Sequence, residues 1–208
     1  KAEAADAYGL AIDACTGAAD RVEVLFAAAK ASARAERAAE AETRYALVET
    51  EAPKHRLADD ARAARVQAAV DRGDLATAST LGESAVATYP QGDVVFDAPF
   101  ALVQAHMVEG RWHRARAVLE ATAKDAARER SYLRSGRFDY YLGRARESLR
   151  DLAGARATYA DLVRRKPATY YGALAFARLE EQERGAGTLA LAEAKKRAMK
   201  AAPLPVPT

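Results

Sequence analysis

A short motif that recurs at nearly constant spacing constrains the fold of this chain more than any other feature. One alanine ends each copy, and we name these the anchor alanines: Ala41, Ala78, Ala115 and Ala155. They are separated by 37, 37 and 40 residues. Proline lies twelve residues after three of them, at Pro53, Pro90 and Pro167, whereas the third copy has Ala127 there. Because a helix cannot continue through proline, this period predicts two helices in each repeat.

Small anchor residues favour close helix crossings, and apolar residues recur at helical spacing along the chain. We therefore predict an all-α chain folded as a right-handed superhelix, a solenoid of antiparallel helix pairs of the tetratricopeptide type. The predicted helices span 2–15, 20–34, 37–51, 56–71, 75–88, 97–109, 112–126, 133–149, 153–165, 168–183 and 187–200.

The same pattern predicts a single helical-repeat domain over residues 1–200. Its parts are a half-unit at 1–17 and units at about 18–53, 54–90, 91–130, 131–167 and 168–200. Residues 201–208, which are rich in proline, are predicted to form an extended tail or linker. The first residue is Lys1, and Ala4 with Tyr8 lies 37 residues before Ala41 with Tyr45. We expect from this that the chain is a piece of a longer protein.

Composition excludes several classes of protein. The chain carries 32 basic and 29 acidic residues, a net charge of +3, so we expect a mixed surface and no nucleic-acid partner. Cys15 is the only cysteine, which excludes an intramolecular disulfide. No apolar stretch is long enough to predict a membrane span.

Residues 136–180 are more specific than a generic helical repeat. The segments 140–145 and 151–155 are followed by Tyr-Tyr-Gly-Ala-Leu-Ala-Phe-Ala-Arg-Leu over 170–179. This string resembles the superhelical domain of soluble lytic transglycosylases, just ahead of their catalytic domain. The resemblance covers about a fifth of the chain, and the rest matches only as an alanine-rich helical repeat.

The resemblance implies a non-catalytic scaffold in a periplasmic or cell-envelope protein that acts on peptidoglycan. In that family a separate lysozyme-like domain cleaves the glycan, with one glutamate as general acid and then base. That glutamate belongs to a Glu-Ser pair followed by Gly-Leu-Met-Gln. Glu83-Ser84 and Glu147-Ser148 are the only such pairs here, and neither is followed by that element. We expect both on solvated helix surfaces, no catalytic residue in this chain, and a catalytic domain elsewhere in the parent protein.

Five residues are candidates for contact with glycan strands, with the parent's own catalytic domain or with a protein partner. The resemblance points to Tyr170, Tyr171 and Arg178, for which packing within the last repeats is the alternative interpretation. Trp112 and Arg114 belong to a basic and aromatic cluster that could form a stacking platform. Trp112 also occupies the repeat position of Leu75 and Leu152, which favours packing.

No cofactor site or metal site is predicted. The histidines His55, His106 and His113 have no cysteine or second carboxylate at metal-ligand spacing beside them. The alternative function is a stand-alone tetratricopeptide-like adaptor that binds a protein partner, because the repeat exists whatever the family.

Overall fold

The structure is a computed structural model that describes residues 1–129 and 132–200, without the side chains of residues 18 and 19. The described part contains eleven α-helices and no strand, which confirms the all-α class. Each predicted helix is present, with ends shifted by at most four residues. The helices are α1 Ala2–Ala14, α2 Ala18–Arg34, α3 Ala38–Glu51, α4 Ala58–Asp71, α5 Leu75–Thr88, α6 Asp97–Val108, α7 Trp112–Ala126, α8 Arg137–Ser148, α9 Leu152–Arg165, α10 Tyr170–Gln182 and α11 Ala186–Lys200. The predicted tail at 201–208 lies outside the described residues.

The chain divides into two compact units, Lys1–Glu109 with α1–α6 and Gly110–Thr208 with α7–α11. Within each unit, consecutive helices pack against each other. In the first unit, Arg44 donates to the Ala28 carbonyl, and Arg21 near the start of α2 pairs with Glu51 at the end of α3. The start of α2 thus lies beside the end of α3, and the middle of α2 beside the middle of α3, so the two helices are antiparallel. No helix in the described ranges is both long and apolar enough to cross a membrane.

The anchor alanines lie where the sequence predicts close crossings. All four are buried, and the residue four positions later is buried in every copy: Tyr45, Gly82, Leu119 and Tyr159. In the second unit Arg146 of α8 donates to the Gly154 carbonyl and to the Thr158 hydroxyl at the start and middle of α9. Small residues at these positions allow the helix backbones to approach closely.

The turn within each repeat has one recurrent backbone conformation. The residue five positions before each anchor has a positive φ: Glu36 at 63°, Gly73 at 74°, Gly110 at 70° and Arg150 at 65°. At Gly73 the next amide, Asp74 N, donates to the Ala69 carbonyl at 2.9 Å, and Gly73 N donates to the Val70 carbonyl. This is the Schellman arrangement, which satisfies carbonyls that a helix end leaves unpaired.

The prolines set the other helix ends. The residues before them lie outside the helical region, with φ and ψ of −141° and 64° at Ala52, −124° and 64° at Tyr89, and −137° and 52° at Lys166. Proline excludes the helical region for the residue that precedes it, which explains the shared conformation. In the third copy no proline intervenes, so α7 continues to Ala126, and its C-cap Ala127 keeps helical φ and ψ of −57° and −23°. The absence of proline twelve residues after Ala115 therefore makes α7 one residue longer than α3, α5 and α9.

A buried charged group joins three elements of the first unit. Glu49 is 6% exposed and accepts hydrogen bonds from Arg62 and Arg65, each at 2.6 Å. The Tyr89 hydroxyl donates to the same carboxylate at 2.7 Å. Burial, followed by the bond to Glu49, raises the pKa of Tyr89 to about 12. Two guanidinium groups and a phenol thus compensate for removing this carboxylate from water.

Candidate functional site

The segment that carries the family resemblance folds into one aromatic cluster on α8, α9 and α10. We name it the tyrosine cluster, and its members are Tyr140, Tyr141, Tyr159, Tyr170 and Tyr171. Ring centroids lie 5.1 Å apart for Tyr170 and Tyr171, 5.6 Å for Tyr140 and Tyr171, and 5.8 Å for Tyr140 and Tyr159. Tyr159 is fully buried, whereas Tyr170 is 44% exposed. The cluster therefore runs from the core of the second unit to its surface.

Gly143 allows the tyrosine cluster to pack closely, and Gly172 allows the start of α10 to approach the end of α9. A Cβ added at Gly143 of α8 would lie 2.3 Å from Cε1 of Tyr159. A Cβ added at Gly172 of α10 would lie 2.0 Å from the carbonyl oxygen of Lys166. The Gly172 amide donates the N-cap hydrogen bond to the Thr169 hydroxyl at 3.1 Å, so this glycine also lies in the first turn of α10.

Beside the tyrosines, α8 and α10 share a second cluster built around Glu147, which we name the glutamate cluster. Arg178 donates to Glu147 at 2.8 Å, Gln182 also donates to it, and Arg144 lies 3.2 Å away. The Glu147 side chain is only 12% exposed. The prediction that Glu147-Ser148 lies on a solvated surface is wrong for Glu147, because α10 packs over that face of α8. Glu83, the other member of this prediction, is exposed.

The glutamate cluster retains unused hydrogen-bonding capacity. In the described part of the chain, the buried Tyr159 hydroxyl, Arg178 Nε and Gln182 Oε1 have no hydrogen-bond partner. Burial, followed by the charge of Glu147, raises the pKa of Tyr159 far above its usual range. Buried polar atoms of this kind are usually satisfied by ordered water or by a ligand.

The structure brings together three of the five candidate contact residues. Tyr170, Tyr171 and Arg178 lie on α10 beside α8, where Tyr171 is half-buried and Arg178 pairs with Glu147 and Glu181. Trp112 is half-buried at the start of α7 and makes no aromatic contact among the described residues. Arg114 is exposed on the same helix, and no ion pair to it is found in that part of the chain.

Sequence reasoning on the whole chain missed a strong separation of charge. The first unit carries 18 acidic and 11 basic residues, a net charge of −7. The second unit carries 21 basic and 11 acidic residues, a net charge of +10. Both signs of charge are present in each unit, as expected, but each unit has an excess of one sign that the total conceals. The signal was available in the sequence, since counting charge along the chain reveals it.

A group of carboxylates in the first unit was also missed. Asp59, Asp60 and Asp93 offer ligand atoms that all lie within 4.8 Å of one another. Asp59 is buried and accepts a hydrogen bond from Val94 N at 3.0 Å, which holds the loop before α6 against α4. Burial raises the pKa of Asp59 and of Asp60. This arrangement explains Asp59 as a structural residue, and proximity of carboxylates alone does not define a metal site.

Comparison with known proteins assigns no family to the chain. No family model matches it, and no match is found among curated proteins or solved structures. Inference about function therefore depends on the residues and their geometry.

Proposed function

We propose that this chain is a non-catalytic helical scaffold from a periplasmic or cell-envelope protein of the soluble lytic transglycosylase type, involved in peptidoglycan turnover. In this proposal the helix pairs form a right-handed superhelix of tetratricopeptide-like repeats. The last full repeat supports this, because it has an anchor alanine, an aromatic four residues later and a proline at twelve, as in Ala155, Tyr159 and Pro167. Leu142-Gly143 supplies the Leu-Gly element of the preceding helix, with Gly143 against Tyr159.

The observation that carries the proposal is the face shared by α8 and α10. It presents the exposed ring of Tyr170 and the half-buried ring of Tyr171 at the start of α10, and the polar groups of Arg178 and Gln182 further along the same helix. Aromatic faces pack against the C–H surface of sugar rings, while guanidinium and amide groups hydrogen-bond hydroxyls. This combination suits a glycan strand of peptidoglycan, and the same face is suited to the parent's own catalytic domain.

The chain then positions glycan and supplies no catalytic residue or cofactor. Cleavage would fall to a catalytic domain elsewhere in the parent protein, which is a peptidoglycan lytic transglycosylase in this proposal. Release of anhydro-muropeptides from purified sacculi by the full-length parent tests this part, and its absence under conditions where the protein is folded would contradict it.

Binding by the chain itself is tested by sedimentation with purified sacculi. Replacing Tyr170 by alanine should reduce binding by about twofold to tenfold, because one aromatic contact contributes about 0.5–1.5 kcal/mol. Tyr8→Ala is the matched control, since Tyr8 is 40% exposed and lies in the first unit. Failure of the unmodified chain to sediment, or equal loss in both variants, would contradict glycan binding at this face.

A groove in the first unit favours a second candidate, a tetratricopeptide-like adaptor that binds a protein partner. The groove has a volume of about 350 Å³ between α2, α3 and α4, with Tyr45 and alanines in its floor and Glu36, Glu42 and Asp71 among its lining residues. An apolar floor with carboxylates suits a basic amphipathic peptide. Ala38→Leu, which would fill the groove from an exposed position, should abolish binding of a labelled lysine-leucine peptide. Unchanged binding would remove this candidate.

A further inference from the structure

The second unit carries more positive charge than its own carboxylates neutralise. Its net charge is +10, and most of its carboxylates already pair with arginines, as Glu147 does with Arg178 and Glu193 does with Arg164. Arg156 and Arg184 have no ion pair within the part of the chain that the structure describes. The excess charge is therefore available to a partner at these positions.

Arg156, Arg164 and Arg184 line one groove of about 610 Å³ between α9, α10 and α11. Glu183 is the only carboxylate among its lining residues. The other lining residues are mainly apolar: Ala157, Ala160, Leu179, Ala186, Leu189 and Ala190. Leu189, one of these apolar lining residues, is 62% exposed. The groove thus combines an apolar floor with a basic rim.

We propose that this groove is a binding site for an acidic amphipathic peptide segment of a partner protein. Arg156 and Arg164 are eight residues apart on α9, which separates them by about 12 Å along the helix axis. Because Arg164 Nε already pairs with Glu193, a carboxylate of the segment would bind the terminal N–H groups of Arg164. A helical segment with glutamates about seven or eight residues apart matches that spacing when it lies along α9. Guanidinium groups bind carboxylates through two parallel hydrogen bonds, and leucine side chains of the segment contact the apolar floor beside Leu189.

The chemistry of the groove favours an acidic peptide over a nucleic acid. None of its lining residues is aromatic, so bases have no ring on which to stack. Its apolar floor matches leucine-type side chains, which nucleic acids lack. The inference goes beyond the proposed glycan scaffold and does not depend on it, because the groove shares no residue with the tyrosine cluster.

The test uses fluorescence anisotropy with a labelled peptide of about 14 residues that carries leucines and glutamates at this spacing. We expect the unmodified chain to bind it and binding to weaken as salt is raised. The double variant Arg156→Glu/Arg184→Glu should weaken binding about tenfold or more, because it places like charges at the rim. Circular dichroism of each variant establishes that it is folded.

The matched control is Lys124→Glu/Lys196→Glu, which changes net charge equally at exposed positions outside the groove. We expect it to weaken binding by less than about threefold. Equal loss in both double variants, or single-stranded DNA bound as tightly as the peptide, would overturn the site in favour of general attraction to polyanions. Absence of peptide binding at low salt would also overturn it. Loss of sacculus binding alone would contradict the proposed function and leave this site standing.

Discussion

Replacing Gly143 by alanine tests how closely α8 and α9 pack. The added Cβ would lie 2.3, 2.6 and 2.8 Å from three ring atoms of Tyr159. That ring is fully buried and packs against Tyr140, so it has little space to move. Overpacking of this kind costs about 1–3 kcal/mol, and the three close contacts place this site near the upper end. Alanine is favoured over glycine within a helix by about 1 kcal/mol, so we expect a net loss of about 2 kcal/mol.

Urea unfolding followed by circular dichroism measures this loss. Gly9→Ala in α1 is the control, because its Cβ would meet only the end of the flexible Arg44 side chain at 3.2 Å. It should be neutral or stabilise the chain by up to about 1 kcal/mol. The cost of Gly143→Ala should fall when Tyr159 is replaced by leucine, since the smaller side chain frees space for the Cβ. A Gly143→Ala variant as stable as the unmodified chain would refute the close approach of these helices.

Three further predictions concern stability. Glu49→Gln should destabilise the first unit by about 3 kcal/mol in urea unfolding, because Arg62 and Arg65 lose their buried anionic partner. The control Glu51→Gln removes an exposed ion pair and should cost at most about 1 kcal/mol, so equal costs for the two variants would contradict the buried network. Arg150→Gly should stabilise the second unit by up to about 1 kcal/mol, because glycine adopts the positive φ of 65° without strain. A clear loss of stability would contradict the left-handed backbone conformation at this position. The raised pKa of Tyr89 means that the folded state holds the phenol proton more tightly than the unfolded state does. The free energy of unfolding should therefore fall by about 1–2 kcal/mol, after allowance for solvent screening, as pH rises from 10 to about 12. Tyr89→Phe should reduce this dependence on pH, and an unchanged dependence would contradict the raised pKa.

Local chemistry made the helices predictable from the sequence. Proline excludes the helical conformation for the residue before it, so Pro53, Pro90 and Pro167 mark the ends of three helices wherever those helices lie in space. The recurrence of the anchor alanines marked the crossing positions, because only small residues allow two backbones to meet there. The charge of each unit was equally available from the sequence, and it was missed because the two halves nearly cancel in the total.

The candidate site required the tertiary structure. Glu83-Ser84 and Glu147-Ser148 are the same dipeptide within a helix, yet Glu83 is exposed and Glu147 lies among Arg144, Arg178 and Gln182. No local rule distinguishes them, since the difference arises from α10, which begins more than twenty residues after Glu147. Backbone conformation depends on neighbours in sequence, and the sequence alone determined it here. Burial, ion pairing and the tyrosine cluster depend on which helix packs over which face, and only the tertiary structure decided them.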